Sequence, residues 1–234
     1  MSAAAKRFPF GLLVLAAVCL AGHGLSLRCQ PARYADSVRA LPDVPSQAAM
    51  RALTLDNPVL AARLMLVYLQ SFELRPGYDA AIRRLDYDRL IEWLTVAQQL
   101  DPTSRYPALL AAYVYAPAGT ADQARRMTGF IHRSFLENPA RRWDALAQAA
   151  LLARHRLGDL PLALKYAQTL AEHTAPGQAP AWARQLPLFV LQQMGEQEAA
   201  LALLEALVVS GELSDPAEVR FLLERLVSPG SADS

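Results

Sequence analysis

Leu157-Gly158-Asp159-Leu160-Pro161-Leu162-Ala163-Leu164 and, further along, Met194-Gly195-Glu196-Gln197-Glu198-Ala199-Ala200-Leu201 carry one phrase twice. In each, a glycine precedes an acidic residue, and an Ala-Leu pair begins five positions after the glycine. Glycine supplies φ > 0 where a helix must stop and the chain reverse. The carboxylate suits the start of the next helix, whose first N–H groups lack partners. The alanine lets that helix approach its neighbour closely. A third copy places Gly119 five positions before Ala124, so the alanines at 124, 163 and 200 are separated by 39 and 37 residues. A recurring helix–turn–helix unit follows from that spacing.

Composition extends the helical reading outward. Of 234 residues, 53% are hydrophobic and 19% charged, with Ala, Leu, Arg, Gln and Glu recurring throughout; these are strong helix formers. No run alternates β-branched and polar residues as a strand would. The class is therefore all-α. Caps and breakers predict helices from Ser46 to about Leu55, from Pro58 to Phe72 behind the Asp56-Asn57 cap, and from Asp86 or Asp88 through Trp93 to Leu100. The later ones are predicted over Ser104–Tyr115, Thr120–Glu137, Ala140–Leu157, Leu160–His173, Pro180–Met194, Gln197–Ser210 and Asp215–Leu226. Pro58 to Phe72 is so apolar that it reads as a helix buried on most sides; the alternative is an amphipathic surface lying on the bilayer, against which stands its single cation, Arg63. Arg75-Pro76-Gly77 breaks the chain, and Ser228 to Ser234 reads as a disordered tail.

On these turns the chain resembles the tetratricopeptide repeats, over roughly Tyr78 to Leu226. That family has a period of about 34 residues, a Gly at the turn, a small residue early in the second helix and a later Pro. Leu90 takes the small-residue position of a first unit, 34 residues before Ala124, and Leu100-Asp101-Pro102 resembles its end. Departures are the longer spacing, Leu85 in place of the first turn Gly, and closing prolines that fall late, at Pro139, Pro176 and Pro216. The resemblance implies a stack of antiparallel helical hairpins, a right-handed α-solenoid over residues 46–227, with a groove that binds proteins or peptides. The repeat-turn residues Gly119, Ala124, Gly158, Ala163, Gly195 and Ala200 are structural in this reading.

Upstream, Lys6 and Arg7 precede Phe8 to Leu27, a stretch with no Asp, Glu, Lys or Arg. Its length, about 30 Å as a helix, suits a transmembrane signal-anchor over residues 1–27. A shorter apolar centre from Gly11 to Ala21 also fits a cleaved signal peptide. Residues 28–45, with Pro31, Pro42 and Pro45, read as a linker. The layout and the Ala/Leu/Arg-rich composition place the protein as single-pass in a bacterial inner membrane with its body in the periplasm, the alternative being periplasmic release after cleavage. Cys19 and Cys29 both lie near the start, so no disulfide framework holds the body.

The net charge of +1 gives no field for nucleic acid. His23, His132, His155 and His173 form no H-x-x-x-H pair, and glycines never cluster as in phosphate loops. The sequence thus offers no catalytic or metal-binding residues and implies no cofactor. His155 reads as a helix-end partner, Asp86 and Asp88 as a helix start, and Trp93, Trp143 and Trp182 as core packing or an aromatic platform. Arg125, Arg126, Arg141, Arg142, Trp143 and Arg154, with Arg83-Arg84 and Arg156, are candidates to line a partner-binding face; a solvated face explains the same arginines. The expected function is a non-enzymatic membrane-tethered scaffold or adaptor, in envelope assembly or export. The alternative is a non-catalytic accessory subunit of a membrane enzyme or polysaccharide-synthesis complex.

Overall fold

The computed structural model describes residues 41–71, 82–175 and 177–227, all within the compact unit Ala40–Ser234. The expected anchor over 1–27 with Cys19 and Cys29, the part of the expected linker before residue 41, the expected break at 75–77, Pro176 and the expected tail from 228 lie outside the described residues. Those described are helical, with no strand among them. The helices are α1 (Gln47–Leu53), α2 (Pro58–Gln70), α3 (Tyr87–Leu100), a composite α4 (Tyr106–Leu110, a π-helical stretch Ala111–Tyr115, then Ala116–Ala118), α5 (Ala121–Glu137), α6 (Pro139–His155), α7 (Leu160–His173), the short α8 (Ala181–Arg184), α9 (Leu186–Met194), α10 (Gln197–Val209) and α11 (Pro216–Val227).

Local chemistry sets most of the starts. The side chains of Ser46, Asn57, Asp86, Thr120 and Asp159 each accept a backbone N–H of the helix that follows. Thr120 and Gln123 complete a reciprocal capping box. Two predicted helices are interrupted, and proline explains both. Ala181–Arg184 and Leu186–Met194 form in place of one helix because Pro187 cannot donate to a carbonyl of a preceding turn. The break at Gln185 puts Pro187 in a first turn, where the missing N–H costs nothing. In α4 the π-helical stretch lies just ahead of Pro117, so the helix continues to Ala118 instead of ending at Tyr115.

Each helix packs chiefly on its neighbour and next neighbour along the chain. The side-chain partners show the register. In α3 and α5, Asp88 pairs with Arg126 at one end, and Gln98 bonds Ser134 and Glu137 at the other, separations of 36–39 residues. In α5 and α7, Arg125 meets Asp159, Thr128 meets Tyr166, and His132 meets Thr169. These helices therefore run parallel, with a reversed helix between each pair. The intervening row behaves likewise: Arg105, just before α4, reaches Asp144 of α6, and Arg154 of α6 reaches Gln193 of α9. Gln185 and Gln192 reach Glu218 and Arg225 of α11, 33 residues on.

The three turn alanines and Leu90 are fully buried at 0% exposure, on equivalent helices α3, α5, α7 and α10. Gly158 and Gly195 adopt φ of 62° and 79°, as turn glycines do. Gly119 differs, with an extended φ of −70°. Its requirement is space: a Cβ there would stand 2.6 Å from the Tyr87 hydroxyl, which bonds the Tyr115 carbonyl at 2.8 Å. The third turn thus shares its letter with the others and not its reason.

A main core runs from α1 to α9, and a smaller cluster around Leu188, Leu204, Leu222 and Leu226 joins α9 to α11. The expectation that α2 is buried on most sides is corrected. Ala61, Ala62, Met65, Leu66 and Leu69 face inward, while Val59, Leu60, Leu64, Val67 and Tyr68 are 39–62% exposed. Among the described residues, partners cover one flank of this helix.

Candidate interaction surface

The arginines singled out in the sequence occupy two opposite ends of the helices. Arg125 and Arg126 stand at the start of α5, beside Arg156 at the end of α6. Arg125 pairs with Asp159; Arg126 bridges Asp88 at 2.7 Å and Asp122 at 2.9 Å. Arg156 donates to the Gly119 carbonyl, and Arg83 to that of Ala118 at 3.0 Å. Hydrogen bonding from Arg125, with the Leu162 backbone N–H, holds the Asp159 carboxyl below its ordinary pKa. This corner is an edge-to-edge clamp between layers, with each of these two arginines already matched by carboxylate.

Arg141 and Arg142 lie at the far end, in the first turn of α6. Arg142 is buried at 0% exposure and cannot touch a partner. Its guanidinium donates to the carbonyls of Ser134 and Pro102, each at 2.7 Å, and of Ser104 at 3.3 Å, and meets Glu137 at 3.3 Å. Burial pushes its pKa down, and the Glu137 carboxylate pulls the other way. Arg142 is a staple for three carbonyls that no helix satisfies. A basic face was expected to include it; the backbone carbonyls left over at the ends of α5 and beyond α3 claim it instead. Arg141, its sequence neighbour, is exposed and has no ion pair among the described residues. Arg154 bonds Gln193 across to α9. No single surface gathers the six residues.

Trp143 meets Trp182 edge to face, with centroids 6.1 Å apart, and Trp182 is 49% exposed. Trp93 is core, stacked on Tyr68 at 5.2 Å. His132 lies between layers, 5.3 Å from the Tyr166 ring, its pKa lowered by burial and by Lys165, Arg133 and His173. Among the described residues no three His, Cys, Asp or Glu side chains group as metal ligands.

Two exposed apolar surfaces lie on α2 and on α10 and α11, the first on a helix that the sequence reads as buried, with a surface lying on the bilayer as the alternative. The first is the outer stripe of α2, joined by Leu53 and Leu55 at the tip of the α1–α2 turn, which are 72% and 93% exposed. Between α1 and α2 a cavity of about 240 Å³ is lined by Met50, Leu53, Leu64, Met65, Tyr68 and Trp93. The second is on α10 and α11, where Val208, Val209, Phe221, Leu223 and Val227 are 40–80% exposed. Val208, Leu213, Val219, Arg220 and Leu223 border a cavity of about 500 Å³ there. The available signal was apolar residues on all sides of a helix with a neighbour on one side only. Among the described residues no single helix is long and apolar enough to cross a membrane; α1 and α2 together meet that length and composition but are bent by 102°. Comparison with protein-family models, with curated proteins and with solved structures finds no match to this chain.

Proposed function

We propose that this protein is a non-enzymatic, membrane-tethered scaffold whose body is a tetratricopeptide-like stack of helical hairpins. The observation that carries the reading is the register of contacts: polar partners join alternate helices at separations of 33–40 residues along α3 to α11. Such a stack buries its apolar faces layer against layer and leaves its terminal layers to be capped. The terminal layer α10–α11 mixes exposed Phe221, Leu223 and Val209 with Glu218, Arg220 and Glu224. Aromatic and aliphatic anchors inside a charged rim are the composition of a protein–protein interface. The partner in this reading is a protein of the bacterial envelope, met in the periplasm, and the tether is Phe8 to Leu27.

A photo-crosslinking residue at Phe221, introduced in full-length protein in intact cells, tests it. The expected result is a discrete protein adduct that disappears when Arg220→Glu and Leu223→Asp are added. Labelling of no protein, or of protein equally at Arg133 in the middle of the array, would overturn the scaffold reading. The stoichiometry separates the two forms of it. Several substoichiometric clients mark an adaptor, and one stoichiometric enzyme marks an accessory subunit.

A further inference from the structure

We infer that the α1–α2 hairpin lies on the bilayer surface, its outer stripe immersed in the lipid interface beside the tether. The inference rests on the tether reading and adds the orientation of the body. On α2, Val59, Leu60, Leu64, Val67 and Tyr68 are exposed, Tyr68 at the edge where it stacks on Trp93 of α3, and Arg63 is the one charge on the whole helix. A soluble terminal layer carries a polar outer face. This one is apolar on both sides, and an exposed apolar patch of that continuity marks a contact.

Three observations select lipid as the occupant. The described chain before α1 does not cover the stripe: it turns onto α3, where Arg89 and Trp93 donate to the carbonyls of Leu41 and Pro42 at 2.8 and 3.0 Å. The α1–α2 turn holds Leu55 and Asp56 at φ of 53° and 58°, a left-handed conformation that disfavours both residues. It projects Leu55 outward at 93% exposure, two positions from Leu53 at 72%, and Leu53 borders one cavity with Leu64 and Tyr68 of the stripe. Water offers nothing to a leucine held that way, and a hydrocarbon interface does. Last, residues 28–46 separate the apolar stretch ending at Leu27 from Gln47, and a chain of that length spans at most about 65 Å. The tether therefore keeps α1–α2 within reach of the leaflet, and its insertion supplies the local concentration that a stripe with one arginine could not reach alone.

The 102° bend decides between crossing and lying. A crossing helix must be continuous and satisfy its backbone internally. Here Asp56 and Asn57 sit at the bend and Ala61, Ala62, Met65, Leu66 and Leu69 are taken by the protein core. The hairpin can sink by one flank only, to a depth of about 5–10 Å. Tyr68, stacked on Trp93, is placed at the rim, where an amphipathic ring sits between water and hydrocarbon.

The test uses full-length protein with Cys19→Ser and Cys29→Ser, reconstituted into vesicles of phosphatidylcholine and phosphatidylglycerol. Single cysteines at Leu64, Val67 and Leu55 carry an environment-sensitive fluorophore, and doxyl-labelled lipid is the quencher. We expect a several-fold loss of emission at these three positions, independent of the protein-to-lipid ratio, and no loss at Arg133 or Val209. Full emission at Val67 in protein that resists alkaline extraction overturns the inference and leaves the tether standing. Extraction of the protein into the supernatant overturns the tether itself. An emission shift at Val67 that grows with protein-to-lipid ratio and resists the quencher assigns the stripe to a second copy of the chain, and also overturns the inference.

Discussion

Between α5 and α7 the polar side chains are consumed by the fold, whereas α2 and α11 leave apolar side chains to solvent. In the middle, Arg142 is fully enclosed, Gln98 and Ser134 bond each other out of reach of water, and Arg125 and Arg126 are spent on carboxylates of adjoining helices. On α2 and α11, Val67 and Phe221 are 62% and 57% exposed, with no described helix beyond them. The described array holds its register with polar links and leaves apolar surface exposed on α2 and α11.

The comparison breaks first at Arg142. Replacement by Met leaves the buried Ser134 carbonyl without its donor and removes the part-buried links to Pro102 and Ser104, and the expected loss of stability in chemical denaturation is about 2–4 kcal/mol. Lysine should recover only part of it, lacking the planar fork that reaches several acceptors. A cost for Arg142→Met below about 1 kcal/mol would mean the guanidinium is decorative and the middle no different from the ends.

Gly119→Ala comes next, because its Cβ meets Tyr87 at 2.6 Å. Overpacking of that sort costs about 1–3 kcal/mol, and Tyr87→Phe should relieve part of it in a double-mutant cycle. Gly195→Ala is the control: nothing lies within 4 Å of its Cβ, so its cost comes from φ of 79° alone, about 1–2 kcal/mol, and does not couple to Tyr87. Equal coupling in both would remove the distinction between the two turns.

A smaller effect is expected from Asp159→Asn, which keeps a helix cap and removes the ion pair with Arg125. The pair is partly exposed, so its worth is about 0.5 kcal/mol at neutral pH. Since the folded carboxyl titrates below its ordinary value of 3.8, this stability is present above that value and disappears as the pH falls through the folded pKa. The difference between the two proteins should therefore close on acidification. A difference that persists in strong acid would place its origin elsewhere.

Least of all, Val67→Asp and Phe221→Asp should change the unfolding free energy by no more than about 0.5 kcal/mol, as surface replacements do. Their effects belong to the partner assays: lipid contact for the first, protein crosslinking for the second. A loss of stability at either position comparable to that of Gly119→Ala would show the ends to be core.

Much of the local structure was legible. Asn57-Pro58, Thr120 and Asp159 announced helix starts because a cap is a bond between a side chain and residues two or three positions on. The Gly-to-Ala spacing located three helices whose alanines are each fully enclosed. Arg142 was not legible, since Arg141-Arg142 looks like any solvated pair and the acceptors of the second lie 38 and 40 residues away as well as nearby. Neither was the broken Pro180–Met194 helix: a proline there can kink, break or restart a helix, and the restart at Leu186 depends on neighbours. Which arginines could share one face was not legible for a similar reason, because the direction an arginine takes is settled by groups on other layers.

By itself, then, the amino-acid order determined that the chain is helical, where most helices begin, and which small residues recur at their closest approaches. These are short-range matters of dihedral preference, capping and periodicity. Tertiary structure alone decided which arginines are staples, why Gly119 must lack a side chain, and that α2 and α11 keep one apolar flank open. Those properties depend on what stands opposite, and in this chain what stands opposite is usually a residue 33–40 positions away.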